Sequence, residues 1–281
     1  MVLEVLEFGF LQRALIAGVS VAITSSVIGL FLVLRRNSLF GDALSHAAFG
    51  GIAIGLATNI YPLWTGLTLS ILGALGITKL RQSAKIPADA TVAILLSSGL
   101  ALGILLISLS GGFTLDLFSF LFGSIMLVNI EDTLMILAMS GIILSIIILL
   151  YRQLMYITFD EEQARVSGLP ISKLNYLFII LASVAVIVSM RLVGILLVSS
   201  LLVIPNVTAL LFNKGFKKTA LISVSVSIFS VVAGIAISYA ANLAPAGTIV
   251  LVSTAAFLIV LAVMHHSENT QIVKKFEELR S

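Results

Sequence analysis

Arg35-Arg36-Asn37-Ser38-Leu39-Phe40-Gly41-Asp42-Ala43-Leu44-Ser45-His46-Ala47-Ala48-Phe49-Gly50-Gly51-Ile52-Ala53-Ile54-Gly55 is the stretch on which the reading of the whole chain turns. Two arginines mark an edge between lipid and water, and an apolar segment then carries an aspartate and a histidine inward. On a helix Asp42 and His46 share one face, about one turn apart. A helix running on from Arg35 rises about 1.5 Å per residue, which puts Asp42 roughly 9 Å inside. His46 then lies roughly 15 Å in, near the middle of a hydrocarbon core about 30 Å thick. Ionisable groups at that depth are costly, and by default they mark a solute pathway. A carboxylate beside an imidazole suits a divalent transition metal.

The composition around this stretch leaves one class open. Of 281 residues, 59% are hydrophobic and 10% charged, with a mean hydropathy of +1.19, whereas a soluble domain carries about 25% charged residues. The expected architecture is all-α, a polytopic transmembrane helix bundle. There is no cysteine, which excludes disulfides and thiolate metal sites. The net charge of +3 comes from loops and pairs with no stacking aromatics, so nucleic acid is not an expected partner. Glu4 and Glu7 stand where a cleaved signal would be basic, and residues 1–12 read as an interfacial lead-in.

Apolar runs predict about nine spans (eight to ten), each near the length needed to cross a bilayer. They fall at about 14–34, 39–58, 63–78, 88–109, 133–150, 174–190, 192–212, 219–242 and 248–264. Residues 113–132 mix apolar positions with Asp116, Gly123, Asn129, Glu131 and Asp132, and read as a re-entrant or interfacial helix. Chain breaks are expected at Arg191 and at Ala244-Pro245-Ala246-Gly247. Residues 1–281 form a single transmembrane domain on this reading, with a cytoplasmic loop at about 151–173 and a cytoplasmic tail at about 265–281. That topology puts every basic residue except Arg13 and Arg191 on the cytoplasmic side, as the positive-inside rule requires. The N-terminus is then outside and the C-terminus in the cytoplasm.

Spacing alone leaves two readings of the Asp42–His46 pair. Either it is a metal waypoint, or Asp42 caps the start of its helix after Gly41 while His46 makes an interhelical hydrogen bond. The waypoint is favoured because no other histidine lies within a span and no other acid lies deep inside one. Two ligands are too few for tight binding, which suits an ion that must be released, and a second copy of the chain would complete a set of four. The small residues Gly51 and Gly55, and Gly99 and Gly103, predict close helix packing, within one subunit or between two. Pro205 interrupts its span and is a candidate hinge. The loop from Thr158 to Pro170 has acids at one end and Gly168 at the other, the pattern of a short capped helix that either connects spans or docks a partner. His265 and His266 read as interfacial polar residues, and Asp116, Glu131 and Asp132 as a solvated outer edge. No phosphate loop, metalloprotease motif or nucleophile elbow occurs, so the chain is not expected to be an enzyme.

These residues resemble the zinc/manganese-type ABC transporter permeases. The resemblance runs through Phe10-Leu-Gln-Arg13-Ala-Leu, Leu34-Arg-Arg-Asn-Ser-Leu-Phe-Gly-Asp-Ala-Leu-Ser-His46, Phe159-Asp160, Ala164, Gly168, and Val193-Gly-Ile-Leu-Leu-Val-Ser-Ser-Leu-Leu-Val-Ile-Pro205, in order over essentially the whole chain. It implies a homodimeric permease in the cell membrane, served by two ATPase subunits and an extracytoplasmic metal-binding protein. It implies that Phe159, Asp160, Ala164 and Gly168 belong to a coupling helix seated in the ATPase, and that Asp42 and His46 line the metal path. No prosthetic group is implied; the transported ion is Zn2+ or Mn2+. The imidazole tilts the sequence reading to zinc, while the carboxylate admits manganese. The competing functions are a proton-coupled secondary metal transporter, a permease for a metal chelate and a non-transporting scaffold.

Overall fold

An apolar run surrounded by lipid has no water to satisfy its backbone, so its N–H and C=O groups must close on each other within a helix. The computed structural model describes residues 9–84, 86–109, 120–123, 129–195 and 198–278. Its helices are α1 (Gly9–Leu34), α2 (Phe40–Thr58), α3 (Pro62–Ala84), α4 (Ala88–Leu109), α5 (Ile130–Leu149), α6 (Tyr151–Phe159), α7 (Glu161–Val166), α8 (Ile171–Val193), α9 (Val198–Leu210), α10 (Phe216–Ala241) and α11 (Pro245–Glu278). Residues 120–122 are also helical. Eight of these helices are long and apolar enough to cross a membrane, namely α1 to α5, α8, α10 and α11. The protein is a multi-pass, all-helical membrane bundle.

Two boundaries differ from the expected ones. The seventh span, expected over 192–212, is the shorter helix α9 of 13 residues, a rise of only about 20 Å. The break before it falls at Gly194, in the left-handed region at φ 80°, and α8 runs straight through Arg191. At the other boundary α5 starts at Ile130, so Glu131 and Asp132 sit in its first turn. Most of the expected re-entrant segment at 113–132 lies outside the described residues.

The core has two parts. One gathers Ile28 and Phe31 of α1, Leu44 and Ile52 of α2, and Ile187 and Met190 of α8. The other joins the opposite end of α1 to α10 and α11 through Leu11, Ala14, Val21, Val231, Ile235 and Ile249. Lipid is as apolar as these side chains, so close packing and buried hydroxyls supply the specificity. Ser25 meets Ser189 at 2.9 Å, Ser26 meets Ser223 at 2.7 Å, and Ser227 donates to the carbonyl of Ala22 at 3.1 Å. These three contacts, within little more than one turn of α1, pin it to α8 and α10.

α1 ends abruptly. Arg36 takes a left-handed conformation at φ 57°. The amide of Asn37 then reaches the carbonyl of Leu32 at 2.9 Å, and that of Arg36 reaches Val33 at 3.0 Å. That pair of bonds is a Schellman stop, built here without the usual glycine. The chain reverses over residues 35–39 and enters α2, which lies between α3 and α4 and backs onto α8.

Candidate metal pathway site

Helix α2 begins at Phe40, so the pair sits nearer the helix start than a continuous helix from Arg35 would place it. Along the axis Asp42 is only about 3 Å and His46 about 9 Å beyond Phe40. The two side chains do share one face: His46 Nε2 lies 4.0 Å from Asp42 Oδ1, with the side chains 12% and 28% exposed respectively. That is a loose approach rather than a tight ion pair.

Neither bond of the plain structural alternative is present among the described residues. The N-cap of α2 is Leu39, without a side-chain cap, and Asp42 falls in the first turn instead. His46 Nδ1 is buried with no hydrogen-bond partner. An orphaned buried nitrogen costs about 1–3 kcal/mol and calls for a reason. No group of three or more His, Asp or Glu side chains that could hold a metal occurs among the described residues. Among the described residues, one copy of the chain therefore offers one carboxylate and one imidazole at this place.

Small residues fix where this pair can be. Gly51 and Gly55 lie against α3, at Thr65 and Pro62, while Gly99 and Gly103 of α4 lie against α2 at His46–Ala47 and Phe49. All four work inside one chain. A Cβ on Gly99 would stand 2.6 Å from the carbonyl oxygen of His46 and 2.7 Å from the backbone of Ala47. Only glycine lets α4 rest on the peptide that carries the imidazole.

The loop after α5 is built as its sequence suggested. Asp160 caps α7, its carboxylate accepting from the amide of Gln163 at 2.8 Å. Gly168 closes α7 at φ 79°, with Leu169 N–H on the carbonyl of Ala164 at 3.2 Å and Gly168 N–H on that of Arg165 at 3.1 Å. Ala164 is fully buried, packed with Ile157, Ile171 and Leu174. Phe159 is 63% exposed, with its ring edge-on to Phe216 at 6.2 Å. The structure thus brings Phe159, Asp160, Ala164 and Gly168 into one small element at one end of the bundle. It does not bring them to Asp42 and His46.

What joins the two places is Arg35, which in the sequence reading served only as an edge marker. Its Nε donates to Thr158 Oγ1 at 3.0 Å, and one terminal nitrogen donates to Asn175 Oδ1 at 3.0 Å. The guanidinium stacks 4.6 Å over the Phe178 ring. Burial pushes its pKa down to about 10, while the nearby Glu161 carboxylate pulls the other way. It remains charged at neutral pH. Phe178 and Phe216 in turn flank Phe31, so an aromatic cluster backs the whole junction.

Pro205 is buried inside α9, where its missing N–H frees the carbonyl four residues back. Its neighbour Asn206 is fully buried; its Nδ2 donates to the carbonyl of Leu202 at 2.7 Å and its Oδ1 accepts from Ser223 at 2.6 Å. The candidate hinge is thus braced by an amide against α10. At the start of α5, Asp132 is not a solvated edge: it is 4% exposed and forms a reciprocal capping box with Asn129. Tyr61 OH donates to it at 3.5 Å. Glu131 is exposed, and Asp116 lies outside the described residues. His265 and His266 are exposed positions within α11, which continues past them.

A family model described as the ABC 3 transport family matches residues 7–264. The manganese transport system membrane protein MntC of Listeria innocua is 35% identical over 254 residues, 90% of each chain. The manganese import system permease protein ScaB of Streptococcus gordonii is 34% identical over 253 residues, 90% of this chain and 91% of its own. Among solved structures, PsaBC from Streptococcus pneumoniae in complex with a Fab superposes with a TM-score of 0.83 at 33% identity, covering 92% of this chain and 95% of that one. A chain described as a metal-chelate type ABC transporter in an inward-facing conformation shares the fold, with a TM-score of 0.70 at 17% identity.

Proposed function

Because the chain belongs to the ABC 3 transport family, we propose that it is the permease of an importer that carries a divalent transition metal into the cytoplasm, with Asp42 and His46 as the waypoint. As a member of that family the chain is a transport subunit rather than an enzyme, and ATP hydrolysis falls to a separate chain. The observation that carries the waypoint is the imidazole of His46, held 4.0 Å from a carboxylate inside the bundle with its second nitrogen unpartnered.

Manganese becomes the first cargo and zinc the second. The donor pair admits both, and MntC and ScaB are named for manganese. Two copies of the chain with their α2 helices facing across a two-fold axis supply two carboxylates and two imidazoles, the number a closed site needs. The α6–α7 segment, with exposed Phe159 and Val166, docks on the ATPase, and an extracytoplasmic binding protein delivers the ion. ATP-driven closure then tilts the bundle between outward- and inward-facing states, as alternating access requires, with Pro205 as a hinge.

The proposed orientation puts the N-terminus outside and both 151–173 and the tail in the cytoplasm of a cell membrane. It requires the chain to cross between α8 and α10. The 13 residues of α9 supply about 20 Å of that crossing.

The test is manganese and zinc uptake into vesicles holding the chain with its ATPase, comparing wild type with Asp42→Ala and His46→Ala at matched protein levels. Loss of uptake in both variants with assembly intact is the expected result. Undiminished transport in both would remove the waypoint. Uptake abolished by a protonophore while ATP is maintained would point instead to proton coupling.

A further inference from the structure

At the end of the bundle where α6 and α7 lie, a cavity of about 450 Å³ separates the α6–α7 segment from α3 and α4. Its polar wall includes Arg35, Asn37, Thr78, Thr91, Glu161 and Asn175. Arg35 uses two of its nitrogens on Thr158 and Asn175. Its other terminal nitrogen is buried and unpartnered. A guanidinium has five donors in a fixed fork and binds a carboxylate best with two of them in parallel. The acid on the same cavity wall is Glu161, in the first turn of α7.

Glu161 is held only weakly where it is. Its present contact is Arg165, at 3.6 Å, with both side chains more than half exposed. Such a surface pair contributes little, so giving up Arg165 costs Glu161 little. Arg35 itself stands in the turn between α1 and α2, seven residues before Asp42. Movement of α7 against Arg35 therefore reaches the start of α2 through one short, hydrogen-bonded turn, without passing through lipid-facing side chains.

We infer that Arg35 is a positioning residue for transport, tying the α6–α7–α8 junction to the turn that sets Asp42 and His46, with its unused N–H closing on Glu161 when the docking segment is driven inward. The inference rests on the proposed docking role of residues 151–173 and on the Asp42–His46 waypoint. It adds the element that connects them. The electrostatic influence of Glu161 on Arg35 is already felt across the cavity. A charged side chain buried with an idle donor is otherwise a net cost to the fold.

The experiment uses the full chain reconstituted with its ATPase, and measures manganese moved per ATP hydrolysed, ATPase co-purification and manganese binding. Arg35→Gln is expected to keep co-purification and binding while the transport-to-hydrolysis ratio falls about tenfold. Glu161→Gln gives a smaller fall, and the double variant is no worse than Arg35→Gln alone, because the two act through one contact. An unchanged ratio in Arg35→Gln overturns the inference, and so do losses that multiply in the double variant. If Arg35→Gln does not fold, Thr158→Val removes one present acceptor of Arg35, and Glu161→Gln removes the negative charge on which its idle N–H is to close. Partial uncoupling in both supports the inference, and a wild-type ratio in both overturns it. A failure of the underlying reading looks different: Asp42→Ala would then transport normally, or the wild-type chain would not hold the ATPase.

Discussion

Replacing Gly99 with alanine tests whether α4 sets the position of the imidazole. The added Cβ would stand 2.6 Å from the His46 carbonyl oxygen and 2.7 Å from Cα and N of Ala47. Carbon contacts reach their optimum at about 3.5–4.0 Å, so the helices must part by about 1 Å. All three obstructing atoms are backbone, and no side chain can swing away to absorb the strain. Overpacking of this kind costs about 1–3 kcal/mol. Metal–ligand distances tolerate only about ±0.2 Å, so a shift of His46 several times larger is expected to weaken manganese binding about 10- to 100-fold, as disturbed outer-shell support does. The control is Gly141→Ala on α5, where nothing lies within 4 Å of the new Cβ. That change is expected to be neutral or to stabilise by up to about 1 kcal/mol, because alanine is the better helix former. Thermal unfolding in detergent reads the first effect, and manganese titration of the purified complex reads the second. Identical melting and binding in the two variants would refute the reasoning, because the contact at Gly99 would then be one the bundle can relax.

Asn206→Ala removes an amide that bonds both Leu202 and Ser223. Only the Ser223 bond runs between helices, and buried hydrogen bonds of that kind average about 0.6 kcal/mol, so a loss of roughly that size in unfolding stability is expected, and an unchanged melting temperature would show that Ser26 and Ser223 suffice. Gly168→Ala meets no atom within 4 Å but forces a Cβ into φ +79°, which costs about 1–2 kcal/mol. The strain falls on the end of α7, so ATPase binding is expected to weaken while the melting temperature of the bundle stays the same. Equal ATPase affinity in a pull-down titration would contradict it.

The sequence carried the parts of this fold that depend on local composition. Apolar run length marks α1 to α5, α8, α10 and α11, because each must satisfy its own backbone. The i,i+4 spacing of Asp42 and His46 was enough to put them on one face, and Asp160 and Gly168 announced the ends of α7 through their capping chemistry. What stayed hidden depends on neighbours distant in sequence. Arg35 reads as a lipid-edge arginine until Thr158 and Asn175 are brought beside it from more than 100 residues away. Asp132 reads as solvated until its capping box turns it into the bundle. The break between α8 and α9 falls at Gly194 and not at Arg191: a lone arginine in an apolar run looks like a stop, whereas the glycine three residues later has the backbone freedom to make one.

The glycine contacts also bear on how access to the proposed waypoint can change. α2 lies against α3 through Gly51 and Gly55 and against α4 through Gly99 and Gly103, so Asp42 and His46 cannot shift within the chain without opening backbone-to-backbone contacts. If transport is a change of access, α2 and α3 must then move as one body, and the change must occur in what faces them. A covalent tie between the two helices tests this directly. A Cβ on Gly73 of α3 would lie 3.8 Å from Cβ of Ala47, within the 3.5–4.5 Å that a disulfide spans. The natural chain has no cysteine, so Ala47→Cys with Gly73→Cys can form only the intended intramolecular bond or a link between copies, and gel mobility separates the two. Gly73 otherwise meets only the flexible end of Leu95, so the pair is expected to fold, to oxidise and to take up manganese at the wild-type rate in both redox states. If uptake stops on oxidation and returns on reduction, α2 moves against α3 during transport, and the rigid-body account of this site fails.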